Sequence, residues 1–191
     1  SRPSSAGAVS GASSSGATSS GAVIDLSSPL ALSDYYYRGR LNENQRRLYD
    51  ALSVAAQGLK TEAWVAGCRL TQKECNDAIT AYLLDHPETF FWNLEKMMIT
   101  SGANVKVEIV LRAEPAEIQQ MQIAIQERTR AALALLDDGM TEFEAECILH
   151  DWIIDQTDYQ LGEGDDAWRA HSIVGVLLDG AAVCEGYANA F

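Results

Sequence analysis

Residues 1–28 are almost entirely Ser, Gly and Ala, with Arg2 and Asp25 as their only charges. A stretch of that composition cannot bury enough apolar surface to offset the entropy of ordering it. Whatever folds must therefore fold from the rest of the chain, and residues 1–32 read as a flexible tether. The 191 residues are 47% apolar, ample for the core of one ordinary domain. Because Arg2 and Asp25 cancel, the formal charge of -13 falls on the remainder. Such an acidic body argues against phosphate backbones and anionic lipid, so no nucleic-acid partner is expected. No run approaches the ~20 apolar residues of a membrane helix, so no membrane insertion is expected. The start lacks the charged and apolar regions of a signal peptide. A Ser/Gly-rich spacer often follows a removed signal or a lipid anchor, however, which points to an extracellular or cell-surface location.

Beyond the tether, residues 33–139 form a helical region and residues 140–191 a second unit. Tyr35, Tyr36 and Tyr37 precede apolar residues at helical spacing between Leu41 and Leu59, and an aromatic run in that place is expected to pack down on the core. Thr71 followed by Glu74, and Thr141 followed by Glu144, have the capping-box form. They predict helix starts: one running to about Asp85 before Pro87, the other to about Tyr159. The second helix has Phe143, Cys147, Ile148, Trp152 and Ile154 as its apolar content. The Phe90, Phe91, Trp92 block must be largely buried. Val105, Val107, Ile109 and Leu111 alternate with Lys106, Glu108 and Arg112, which predicts a β-hairpin over 97–112 with one solvated face. A helix from Pro115 is expected to close at Gly139. The acidic, Gly-rich segment 160–167 lacks the ligand pattern of a calcium loop and reads as solvated. A short apolar helix over 173–178 and a turn at Asp179-Gly180 lead to a last helix beginning near Cys184.

The four cysteines, Cys68, Cys75, Cys147 and Cys184, are too sparse for a disulfide framework, although a local Cys68–Cys75 bridge is open, and no metal or cofactor is implied. Cys184 stands apart. A sulfur in the first turn of a helix faces unpaired backbone N–H groups and the positive end of the dipole, which favours the thiolate. Gly186, two positions on, is expected to leave space beside it. The bland alternative is an inert core cysteine.

The run Asp179-Gly180-Ala181-Ala182-Val183-Cys184-Glu185-Gly186-Tyr187-Ala188-Asn189-Ala190-Phe191 resembles the nucleophile signature of bacterial transglutaminase-like proteins. His150-Asp151-Trp152 resembles that family's His-Asp-aromatic helix, and His171 to Leu178 the short helix leading to the nucleophile. A looser likeness at His86-Pro87-Glu88 through Trp92 resembles its Pro-Glu-x-Phe-Trp element. The resemblance implies an α+β papain-like fold, of which these residues hold the helical part and one β-hairpin but not the C-terminal sheet. It implies Cys184 as a nucleophile that attacks a carboxamide or peptide carbonyl and forms a thioester, which an amine or water resolves. The base and orienting acid of that family, a His and an Asp on later strands, match no residue here, so only Cys184 is carried over. His150, His171 and His86 read as structural.

Two functions are thus expected of such a chain. One is thiol-dependent acyl transfer or amide hydrolysis on a peptide or protein substrate, with little activity from these residues alone. The other is a tethered peptide-binding or scaffold module in which Cys184 is vestigial.

Overall fold

The computed structural model describes residues 35–162 and 164–191; the tether expected over 1–32 lies outside them. The fold is α+β and mostly helical, with a small antiparallel three-stranded sheet. It opens with the short helix α1 (Tyr36–Gly39) and continues into α2 (Glu43–Gln57). Asn42 and Gln45 cap α2 reciprocally, satisfying amides the first turn would otherwise leave unpaired. Leu48, Tyr49 and Leu52 on its inner face are fully buried. Helix α3 (Gln72–Asp85) starts at the predicted Thr71–Glu74 box and packs along α2. Its last residue, Asp85, accepts from the amides of Tyr37 and Arg38 at 3.1 and 2.8 Å and from the Tyr49 hydroxyl at 3.0 Å. One carboxylate thus ties α1 to both helices. Of the tyrosine cluster only Tyr35 packs down, against His86, while Tyr36 and Tyr37 are exposed.

The predicted hairpin forms from β2 (Met98–Ser101) and β3 (Val105–Glu108), and a strand that sequence reading missed, β1 (Glu62–Val65), pairs with the far edge of β3. Both pairings are antiparallel, and Val107 faces Ala63 on one side and Ile99 on the other. Val105 and Val107 point into the core. Lys106, on the opposite face, joins Glu108 at 2.8 Å and Glu62 at 3.5 Å.

Helix α4 (Pro115–Leu133) ends well before Gly139. Past Leu133 the amides of Leu135 and Leu136 bond three residues back instead of four, tightening the chain out of the helix. Helix α5 (Glu142–Gln156) starts at the predicted Thr141–Glu144 box but stops short of Tyr159, because Asp158–Tyr159 forms a short strand, β4, parallel to β5 (Ala181–Ala182). Its expected apolar content divides: Trp152 is half-buried against the core and Ile148 is half-buried, while Phe143, Cys147 and Ile154 are exposed, and Ala145 and Ile153 are the residues it buries fully. The acidic segment after β4 leads into the short helix α6 (Ala167–Ala170), followed by a π-helical segment Gly175–Asp179 where an ordinary short helix is expected from the sequence. Helix α7 (Cys184–Ala190) follows β5. One hydrophobic core joins α2, α3 and the sheet to Ile118, Ile153, Val174 and Val176. Among the described residues no helix is long and apolar enough to cross a membrane.

Candidate active site

Three backbone devices fix the start of α7. Gly180 takes a left-handed conformation (φ 67°) that side chains other than glycine disfavour, turning the chain from the π-helical segment into β5. The β4–β5 ladder then holds the strand through bonds from the Asp158 amide to Gly180 O at 2.9 Å and from the Gln160 amide to Ala182 O at 3.0 Å. Finally, the Val183 amide donates to Ala170 O at 3.0 Å, so that the helix begins at the next residue, Cys184. Val183 has no side-chain oxygen to cap the helix, and the first intrahelical bond runs from Tyr187 N to Val183 O. The amides of Cys184, Glu185 and Gly186 therefore have no partner within the helix.

The preceding loop is clamped by Arg169, whose Nε and Nη2 each donate to a different oxygen of Asp179 at 2.7 Å. Glycine is required where this loop packs. A Cβ on Gly175 would fall 2.6 Å from Ala181 O and 2.7 Å from Arg169 O. A Cβ on Gly186 would run into Ala170 O. Gly186 therefore seats α7 against residues 170–172. It does not open space beside the sulfur: two residues on a helix are about 200° apart, so Cys184 is on the other side, exposed to solvent.

The flank of α7 carrying Glu185 and Asn189 faces His171. The His171 Nδ1 lies 2.9 Å from Glu185 Oε2, and Asn189 Nδ2 donates to His171 O at 3.2 Å. Tyr187, on the inner side, donates its hydroxyl to Thr157 O at 2.6 Å. His150 lies on exposed α5 surface, with Nδ1 3.1 Å from Asp151 Oδ1. His86 is the one histidine fully inside, between the rings of Tyr35 and Tyr82 with centroids 4.5 Å away on each side. Its position as a turn residue after α3 was legible in sequence; its burial was not. Among the described residues no histidine is hydrogen-bonded to Cys184, and no group of three or more His, Cys, Asp or Glu is placed to hold a metal ion.

Beside this helix lies a cleft of about 220 Å³. Its walls come from both halves of the chain: His86, Phe90 and Trp92 on one side, Trp168, His171 and Asn189 on the other, with Arg112 between. Cys184 is not part of its lining. From the sequence Phe90 to Trp92 are expected in the core, Arg112 on the solvated face of the hairpin, and nothing marks Trp168; Arg112 instead lies beyond the end of β3 and is half-buried. Compared with known proteins, the chain matches no family model and no curated protein.

Proposed function

We propose that Cys184 is the nucleophile of a thiol-dependent acyl transfer or amide hydrolysis, on a papain-like, transglutaminase-like scaffold. In this reaction the sulfur attacks the carbonyl of a carboxamide or peptide, the C–N bond breaks, the amine or ammonia leaves with a proton, and an amine or water releases the acyl group from the thioester. The observation that carries the reading is the placement of Cys184: exposed, at the first position of α7, and next to first-turn amides that no side chain caps. Unpaired amides at such a place are donors for a developing oxyanion. Because no histidine among the described residues bonds the sulfur, turnover by these residues alone is expected to be slow, lacking a general base typically worth ~10²–10⁴-fold.

The test supplies a glutamine-bearing peptide and a labelled primary amine, and follows ammonia release and amine attachment. Slow activity that is lost in Cys184→Ala and kept in Cys147→Ala is the expected result. Activity indifferent to Cys184→Ala, or its absence over long incubation, would remove the nucleophile assignment. Fast turnover would remove the claim that a base is missing.

The separation of the cleft from the sulfur favours a second reading, a peptide-binding module in which Cys184 does no chemistry. Peptide binding without any acyl adduct on Cys184 is its signature.

A further inference from the structure

Helix α5 turns toward solvent a ridge that the other described elements leave uncovered. Phe143, Cys147, His150 and Ile154 follow one another at steps of four, three and four residues. At ~100° per residue they fall within an arc of about 60°, and the ridge runs for about 16 Å. That is the spacing of a coiled-coil seam. All four side chains are exposed, Phe143 by 73% and Ile154 by 52%. Ala145 and Trp152, which pack toward the core, lie on the opposite side of the helix. Single exposed apolar residues are ordinary, but a row of them along three turns marks a surface that meets something.

Carboxylates border this ridge on both sides. Glu146 lies along one flank and Glu144, Asp151 and Asp155 along the other, all of them exposed. The helix itself has no Lys or Arg. Among the described residues none of these four carboxylates is ion-paired with a Lys or Arg; Asp151 has only His150, at 3.1 Å. Arg128 does pack on α5, but over Trp152, 5.2 Å from the ring centre and so away from the ridge. The surface is therefore an apolar strip between two rows of uncompensated negative charge. Within the fold, nothing answers either its shape or its sign.

We propose that this face of α5 docks a basic amphipathic helix of another protein, with the partner's apolar side chains seated on the ridge and its Lys and Arg against the bordering carboxylates. Other occupants lack the complementary charge. A second copy of this chain, paired α5 to α5, would set carboxylates against carboxylates on both sides of the seam, which costs affinity. Residues 1–34 offer Arg2 against Asp25 and Asp34, so they supply no basic flank. An anionic membrane is repelled by the same carboxylates, in a chain of net charge -13. The proposal does not rest on the thiol chemistry, since docking is read without turnover.

The experiment titrates the full chain into three fluorescently labelled helix-forming peptides, each about five turns long, and follows their anisotropy. One has Leu at the seam positions and Lys at the bordering ones, one has Glu in place of Lys, and one is the basic peptide with its sequence scrambled. The basic amphipathic peptide should bind at least ~10-fold more tightly than either of the others. Phe143→Ser with Ile154→Ser, both at exposed positions, should erase its advantage over the scrambled peptide. Glu146→Lys with Asp155→Lys should reverse the preference between the basic and acidic peptides. Cys147 lies in the ridge, so its alkylation by iodoacetamide should slow at saturation. Equal affinity for all three peptides, no binding by any, indifference to the Phe143 and Ile154 changes, or Cys147 alkylation unslowed at saturation would each overturn the proposal. So would sedimentation of the chain alone as a dimer that Phe143→Ser dissociates, which would assign the face to a second copy. Cys184→Ala should leave peptide binding unchanged, which separates failure here from failure of the thiol assignment.

Discussion

Arg169 and Asp179 meet through two parallel hydrogen bonds of 2.7 Å, closing the ten-residue excursion that delivers the chain to the start of α7. Both side chains are about two-thirds covered. The Asp179 carboxylate, through its hydrogen bonds, holds the Arg169 guanidinium above its usual range. Such a two-pronged pair is more than a surface ion pair, because its geometry is fixed and partly shielded from water. Asp179→Asn keeps the shape and loses the charge. It is expected to destabilise the fold by about 1–2 kcal/mol, lowering Tm by roughly 3–6 °C for a chain of this length. A thermal melt unchanged within a degree would show that the clamp contributes nothing.

Gly186→Ala should also destabilise, although the same change in an open helix interior would stabilise by roughly 0.5–1 kcal/mol. The added methyl would meet Ala170 O, which is backbone, and would come within 3.0 Å of Ala182 Cβ. Relief requires α7 to lift from residues 170–172, an overpacking cost of about 1–3 kcal/mol. The sign of the shift in urea midpoint decides the matter: a more stable variant would mean that α7 does not seat on that segment.

Alkaline pH should weaken the fold through two buried phenols. Burial, then the hydrogen bond to Asp85, pushes the Tyr49 hydroxyl far above the usual phenol range, and burial pushes Tyr82 up to about 12. A group whose pKa is raised by folding contributes stability that is complete below its unfolded value, ~10 for tyrosine. That contribution is lost as pH climbs from there through the folded value. The denaturation midpoint should therefore fall above pH ~10, less steeply in Tyr82→Phe. Followed by ultraviolet absorbance, the exposed tyrosines should ionise first and Tyr49 and Tyr82 only late or with unfolding. Ionisation of all seven tyrosines in one step, with the fold intact, would contradict the burial.

Features encoded within a few neighbouring residues were legible. Thr71 with Glu74 and Thr141 with Glu144 mark helix starts because the side chains that satisfy the first-turn amides are themselves three residues apart. The β2–β3 hairpin was readable from the alternation around Val107. Strand β1 was not: Glu62 to Val65 is too short to show a period, and its partner β3 is remote in sequence. The β4–β5 ladder, two residues on each side, exists because Gly180 turns the chain back beside α5. At the site, Cys184 at a helix start was legible from local pattern. The cleft was not, since Arg112 and Trp168 come together only through packing, and no local signal marks a pair of that kind. The space expected beside the sulfur at Gly186 is taken up by Ala170 O instead: sequence shows that a side chain is missing, not which neighbour needs the room.

The four thiols should separate into two pairs under native conditions. Cys68 and Cys75 are fully buried, and burial pushes both above the usual thiol range, whereas Cys147 and Cys184 are exposed. Iodoacetamide needs both access and thiolate, so two thiols should alkylate in the folded protein and the other two only in denaturant. The exposed pair differs in setting. Cys147 sits within α5, where the amides are engaged by the helix, while Cys184 is in a first turn whose amides are free to hydrogen-bond an anion. Cys184 should therefore label faster than Cys147, with each site read by mass spectrometry and checked in Cys147→Ser and Cys184→Ala. Equal rates at the two exposed thiols would mean that the start of α7 confers nothing on its sulfur.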